Sequence, residues 1–403
     1  MAARLRTLGW LAANAAAGGV TAIAYAAAVV PASRLRRWRR RRAGHLPDVL
    51  WGPSPILNNR YATRAERLYG YRSDSLVYFV YRINQRDDFD VRLDRARKLP
   101  VVGWLVPYGA FLWAGLRYDH FGFFFDGGLL GGPGLALELP LLRLAGKGIV
   151  VYPYGGDARV VSATRGRGPW HAYSDIPPGS EDRDERDVRR RLALFGRWAD
   201  VVLGCADLVE DLPRLDGVLL YPFDAANWQP VPEVDDGIVT VVHAPNHRHY
   251  KGTRFLEAAI DQLRAEGVAI ELVVVEGMTN DEARTVFSRA DIVADQFLLG
   301  AYALFAIEAM ALGKPVMCFL NDRFRPFHPE WEECPIVSAN PDTLTDELRS
   351  LALDPARRRE LGARGPGYVR DYHSLEAVGA ELDAVHRRMW GLARSLAAAP
   401  ELP

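Results

Sequence analysis

The chain opens with an apolar run from Leu8 to Val30, rich in Ala and Gly, with Trp10 and Tyr25 near its ends and Pro31 closing it. Its length can span a bilayer, although Ala and Gly add little to insertion compared with Leu, Ile or Phe. From Pro47 the pattern changes to short apolar runs separated by helical stretches. Asp48 to Trp51 reads as a strand leading into Gly52-Pro53-Ser54, Ala62 to Leu68 as a helix, and Ser75 to Phe79 as a strand. The rhythm continues with a strand at Phe121 to Phe125, a helix around Leu137 to Leu144 and a strand at Gly148 to Tyr152. A helix from about Asp187 to Trp198 and a strand at Val201 to Leu203 complete the set. Asp224 to Gly237 reads as a linker, because Pro230, Pro232 and an acidic run break the pattern.

A second alternating set follows. Strands are expected at Ile238 to His243, Ile270 to Val275, Asp291 to Ala294 and Val316 to Leu320. Helices are expected at Thr253 to Glu266, Asp281 to Ser288, Phe305 to Leu312, Pro341 to Leu353 and Pro355 to Gly362, and a long one from about Leu375 to Ala397. Such alternation predicts an α/β protein of two doubly wound, Rossmann-like domains with mainly parallel sheets. A chain of 403 residues is also too long for one ordinary core. The expected division is a helix and basic block over 1–45, a first domain over 46–228, a second over 229–372 and a terminal helix over 373–403.

Composition narrows the class. Hydrophobic residues at 49% and charged residues at 25% suit a packed globular protein. Lys plus Arg balances Asp plus Glu at 50 each, so no global field draws the chain to nucleic acid. The charge that matters is local: Ser33 to Arg42 is an arginine block directly after the apolar run. Such a block resists translocation and attracts anionic headgroups, which places the body on the cytoplasmic face of a membrane, the helix spanning or lying in plane. The alternative is an Ala-rich helix packed on the body with a solvated basic face. Val30-Pro31-Ala32 has the form of a signal cleavage site, but a mature chain starting with that many arginines exports badly. Cys205, Cys318 and Cys334 have no metal or disulfide spacing and read as reduced core thiols.

One carboxylate interrupts the apolar stretch from Leu298 to Val316, and it is Glu308. In open α/β sheets ligands bind outside the carboxyl ends of strands, where loops enter helices and backbone N–H groups face an anion. Glu308 is placed there to accept hydrogen bonds from ribose hydroxyls; a core glutamate satisfied by a neighbour is the plain alternative.

The segment Glu308-Ala309-Met310-Ala311-Leu312-Gly313-Lys314-Pro315-Val316 resembles the signature of the retaining, family-four-like glycosyltransferases of the GT-B fold, and the resemblance runs from about Pro47 to Trp390. That family carries two glutamates eight positions apart around a Gly-Phe-Gly-Leu-like turn. Here the second glutamate and the tail match, Gly300 stands at the first, and Ala301-Tyr302-Ala303-Leu304 replaces the turn. The resemblance implies a nucleotide-sugar donor, with Glu308 on the ribose and Asp295 and Gln296 as catalytic substitutes for the missing carboxylate. His243 to Thr253 is similar to the family's diphosphate-binding segment: Lys251-Gly252 matches, Asn246 stands where an arginine is usual, and Arg248 can replace it. A departing nucleoside diphosphate gains charge that such cations and a helix N-terminus stabilise.

In the first domain Tyr154-Gly155-Gly156-Asp157-Ala158-Arg159 resembles the family's acceptor-side loop, although Asp157 with Arg159 can equally form a structural ion pair. Ser54 occupies the position of the family's first loop. The triplet Asp88-Phe89-Asp90 and the trio His243, His247 and His249 lack the companions of a metal site, so no metal cofactor is expected. The resemblance implies transfer of a sugar, with retention, to a glycan, lipid-linked or cell-envelope acceptor held by the first domain, the last helix crossing back onto that domain. A GT-B-shaped nucleotide-sugar-binding or scaffold protein without turnover is the rival, motivated by Gly300 and Asn246.

Overall fold

The computed structural model describes residues 2–392 except 82, 83, 182, 232–236 and 279. The first sheet contains β1 (Val49–Trp51), β2 (Ser73–Val77), β3 (Val91–Arg92), β4 (His120–Phe123), β5 (Gly148–Val151), β6 (Val201–Gly204) and β7 (Gly217–Val218). The second contains β8 (Val239–His243), β9 (Ile270–Val274), β10 (Ile292–Ala294), β11 (Val316–Cys318) and β12 (Val337–Ser338). All pairings are parallel, with β1 registered between β2 and β4 so that Val49 faces Ser73 on one side and His120 on the other. The inner strands β1, β4, β5 and β6 are buried along their whole length. That is why they read as continuous apolar runs rather than alternating ones.

The strand orders are β3-β2-β1-β4-β5-β6-β7 and β12-β11-β10-β8-β9. In each sheet the order reverses beside the first strand, so the chain leaves β1 and β4 in opposite directions, and likewise β8 and β10. The loops at those carboxyl ends diverge and leave a crevice, which is the ligand position of an open α/β sheet.

The two sheets share one apolar core. Tyr61 and Phe223 of the first domain belong to the same buried cluster as Phe305, Trp331 and Tyr368 of the second. Tyr302 hydrogen-bonds Tyr368 and His373 at 2.9 Å each, and His373 in turn reaches the Tyr221 carbonyl at 2.9 Å. The helix Leu375–Trp390 then lies on the first domain against Leu57–Leu68. Its His386 is fully buried between Glu66 and His120, at 2.7 and 3.0 Å, and Trp390 donates to the His45 carbonyl at 2.9 Å. Burial and the neighbouring His386 hold His120 well below the usual imidazole range.

The N-terminal segment departs from its expectation. The helix is not closed by Pro31 but runs as Ala2–Ala24, a π-turn at Tyr25–Val29, and Val30–Arg42. The wider i→i+5 turn absorbs the proline, which lacks an N–H and would clash in a regular helix. Tyr25 stacks on Phe111 with ring centroids 4.4 Å apart, and the Ser33 hydroxyl donates to the Gly115 carbonyl at 3.0 Å. Part of the arginine block is structural: Arg36 and Arg40 pair with Asp48 and Asp119, and Arg34 donates to the Leu144 carbonyl. Arg39, Arg41 and Arg42 stay exposed.

Close approach at Gly115 makes this docking possible, since a Cβ there would lie 2.6 Å from Tyr25 and 2.8 Å from Val29. Gly115→Leu is expected to lower the urea midpoint by an amount equivalent to roughly 1–3 kcal/mol, the cost of overpacking a core. An unchanged midpoint would mean that Tyr25 to Ser33 adds nothing to the packed body.

Candidate functional site

The crevice of the second sheet is built around Asp295, which follows β10 and is fully buried. One carboxylate oxygen accepts from Lys251 Nζ at 2.6 Å, and the other accepts from the Ala303 amide at 2.9 Å. Lys251 comes from the turn after β8, so this carboxylate ties together the two diverging loops and the start of the helix Leu304–Ala311. The ammonium has two hydrogens beyond that bond. The amides of Leu304 and Phe305 have no acceptor among the described residues. Unpaired first-turn amides beside a cation are the elements of an anion site.

Glu308 lies one turn further along the same helix and is half-buried. Its carboxyl has no hydrogen-bond or ion-pair partner among the described residues. Burial, and secondarily the charge of Asp295, push it up to about 8, while Lys251 pulls the other way. Across the crevice Tyr61, from the helix Leu57–Leu68, feels this carboxyl, which adds to the burial that raises its phenol.

The remaining expected donor residues take supporting positions. Gln296 donates to the Ala301 carbonyl, and its buried side-chain oxygen has no partner among the described residues. Gly300 is left-handed at φ +79°, and a Cβ there would lie 3.2 Å from Asn321 and Phe324. A glutamate is therefore disfavoured at this position by both backbone and space. Tyr302 points into the shared core rather than the crevice. His243 is buried, with one ring nitrogen on the Ala294 carbonyl at 2.7 Å and the other on the Thr253 hydroxyl at 2.8 Å. Burial holds it down to about 4, so it is a neutral strut. Arg248 forks over Glu276 and Glu257 at the surface, and Asn246 is exposed.

On the first-domain side Ser54, after β1, donates to Asp126, after β4, at 2.7 Å. Tyr154, after β5, donates to the same carboxylate at 3.3 Å. Burial raises Asp126 above the usual carboxylate range, against the pull of these hydroxyls. Asp126 was not singled out from the sequence, yet Phe125-Asp126-Gly127-Gly128 carries the same strand-then-acid-and-glycine signal as Tyr154 to Asp157. Asp157 is fully buried and accepts from the amides of Phe125, Tyr154 and Gly155 at 2.8–3.1 Å, so it shapes the loop. The ion pair entertained between Asp157 and Arg159 is not formed: Arg159 grips Asp207 with two hydrogen bonds inside the core. Gly155 is open, whereas a Cβ on Gly156 would meet Arg183. Asp88 and Asp90 are engaged by Arg60 and by Ser75 with Arg67.

The segment after β5 crosses to the second domain. Trp170 donates to Asp342 at 2.6 Å, Asp175 pairs with Arg254 at 2.6 Å, and Tyr173 packs edge-on against Tyr250. One flank of the loop carrying Lys251 is thereby covered.

No family model matches the chain, and no curated protein matches it in sequence. Solved structures match in fold. Sucrose-phosphate synthase from Thermosynechococcus elongatus aligns over 87% of this chain and 100% of its own, with a TM-score of 0.57 and 14% identity. Anabaena HepE, solved in complex with UDP and glucose, aligns over 85% and 99%, with a TM-score of 0.54 and 12% identity. A protein named as a UDP-N-acetylglucosamine 2-epimerase from Listeria monocytogenes aligns over 86% and 97%, with a TM-score of 0.50 and 10% identity. The chain has the GT-B fold: two Rossmann-like domains facing a cleft.

Asp295→Asn would leave Lys251, which is 11% exposed, without its counter-charge. Breaking one partner of a buried pair costs roughly 3–5 kcal/mol. Calorimetry is therefore expected to show a clear fall in Tm, and an unchanged Tm would mean that Asp295 does not organise the crevice.

Proposed function

We propose that this protein is a glycosyltransferase that moves a sugar from a UDP-linked donor to a glycan, lipid-linked or cell-envelope acceptor at the cytoplasmic face of a membrane, with retention. The observation that carries the reading is the unpartnered Glu308 carboxyl beside the Lys251–Asp295 clamp and the open first turn of its helix. A ribose can bond Glu308 while the diphosphate meets Lys251 and the amides of Leu304 and Phe305. In transfer, the bond between the anomeric carbon and the diphosphate oxygen breaks, and its electron pair leaves with the diphosphate. The acceptor oxygen bonds the anomeric carbon, and its proton is released. Lys251 and the helix amides stabilise the charge that develops. Asp126, with Ser54 and Tyr154, is the polar group that receives the acceptor hydroxyl on the opposite wall.

UDP is favoured as the nucleotide because HepE, of the same fold, was solved with it. Retention rests on the resemblance of Glu308 to Val316 to the retaining family. Membrane association is supported by the apolar N-terminal helix and by exposed apolar side chains at Leu99, Val101, Val102, Trp104, Leu105, Trp113 and Leu116. Because Tyr25 to Ser33 are docked on the body, the helix is read as lying in the interface. The neighbour named as an epimerase gives a second reading, in which the donor is isomerised rather than transferred. Incubation with UDP-sugars and a membrane-lipid extract separates them. Acceptor-dependent release of UDP is expected; a changed sugar with UDP still attached would establish the second reading, and neither product would leave a binding or scaffold protein.

Two ribose hydrogen bonds to a charged group are worth roughly 1.5–3 kcal/mol each before compensation. Glu308→Ala is accordingly expected to raise the Kd for UDP by on the order of tenfold or more in isothermal titration. Unchanged affinity in the folded variant would place the nucleotide elsewhere.

Hydroxyls donate to the ionised carboxyl, and the free group titrates at about 8. UDP affinity should therefore rise with pH by up to about tenfold per unit as pH climbs toward 8, and level off above it. Glu308→Gln should flatten that slope; the same slope in the variant would assign the titration to another group.

A further inference from the structure

The Gly18–Gly19 stretch of the N-terminal helix forms one side of a groove of about 950 Å³. Trp104, Tyr108, Leu129 and Pro53 also line it. Pro53 immediately precedes Ser54, which bonds Asp126, and Leu129 lies three residues beyond Asp126. The groove's lining thus extends from the apolar helix to residues of the loops that carry Ser54 and Asp126.

Its walls are tied in place. The Tyr78 hydroxyl donates to the Leu129 carbonyl at 2.7 Å, and buried Glu138 accepts from the amides of Leu129 and Leu130 at 2.8 Å each. Tyr108 donates to Asn14 on the N-terminal helix at 3.1 Å. Small residues keep the space open: a Cβ on Gly19 would meet nothing within 4 Å, and one on Gly18 only Leu137 at 3.6 Å. At its polar end the groove shares Tyr78 and Arg97 with a second cavity of about 500 Å³, lined also by Lys98, Asn84 and the carboxylate residue Asp94. The Arg97 guanidinium sits 5.4 Å from the Tyr78 ring centroid and has no carboxylate partner among the described residues.

We propose that this groove holds the hydrocarbon chain of the acceptor, a lipid phosphate whose phosphate meets Arg97 and Lys98 at the junction of the two cavities. Charge and continuity select this occupant. The largely apolar lining includes the helix read as lying in the membrane interface, and Arg97 and Lys98 outnumber Asp94 where the lining turns polar. The proposal rests on the transferase reading for the identity of the reaction, but not for binding.

The full chain in phosphatidylcholine nanodiscs is photolabelled with a diazirine-bearing farnesyl phosphate. Labelling is expected on peptides containing Gly18–Gly19 or Trp104–Tyr108, with competition by unlabelled farnesyl or oleyl phosphate; the better competitor identifies an isoprenoid or an acyl chain. Gly19→Phe should cut labelling by roughly tenfold. Gly19→Ala, which adds a single methyl in open space, should retain it and so controls for loss of the helix. Arg97→Ala should weaken competition by farnesyl phosphate and leave competition by farnesol unchanged. Equal labelling of Gly19→Phe, or labelling that no lipid phosphate displaces from the nanodisc background, would overturn the proposal by assigning the groove to bulk lipid. Because labelling requires no turnover, those results leave the transferase reading standing, whereas intact labelling without UDP release would sink that reading alone.

Discussion

A buried carboxylate that keeps its charge needs a counter-charge, and the second domain is arranged around meeting that demand at Asp295. Its charge is met by the Lys251 ammonium and by the first free amide of the helix that carries Glu308. Since those partners come from the loops after β8 and β10, one side chain fixes the separation of the diverging loops and the direction of the helix. The cation is thereby held beside the unpaired amides of Leu304 and Phe305. Burial is the main reason the Glu308 carboxyl is raised, and the negative charge of Asp295 nearby adds to it while Lys251 pulls the other way. In the proposed reading a ligand's hydroxyl groups meet Glu308, and its negative charge meets the remaining hydrogens of Lys251 and the free amides.

The first domain solves the equivalent problem with hydroxyls instead of a cation. Asp126 stands at the switch point of its sheet, as Asp295 does in the other, but it is held by Ser54 and Tyr154. A carboxyl held by hydroxyls and raised by burial is a better partner for a neutral hydroxyl than for an anion. Two sheets of similar winding thus present walls of different chemistry across one cleft. The contacts of His373, Tyr302 and Tyr368, and the last helix on Glu66 and His120, hold those walls together.

The architecture was legible because buried parallel strands have a simple signature. Val201 to Leu203 and Gly148 to Tyr152 are apolar at every position, as strands covered on both faces must be. Less visible were β3, β7 and β12, which are two residues each and too short for any periodicity to show. Pro31 was read as a helix end because proline excludes a regular turn; the π-turn before it is an accommodation that depends on packing against Phe111 and Gly115. In the site, Lys251, Asp295 and Glu308 could be located because they follow strands or open a helix. Their partners could not: that Arg248 turns to Glu276, that Arg159 chooses Asp207, and that Tyr302 faces the core are decisions of tertiary neighbours. Asp126 was missed because its significance arises only when β1 and β4 lie side by side and bring Ser54 to it.

If Glu308 is the carboxyl that meets the ribose, its own titration reports the contact directly. With carboxyl-labelled glutamate, carbon NMR can follow Glu308, assigned by its loss in Glu308→Gln, across pH without and with saturating UDP. The free group should titrate near 8, and UDP should move the transition well below neutrality, because the hydroxyls of a bound ribose favour the ionised form. Superimposable titration curves with and without UDP, under conditions where UDP is bound, would contradict the account.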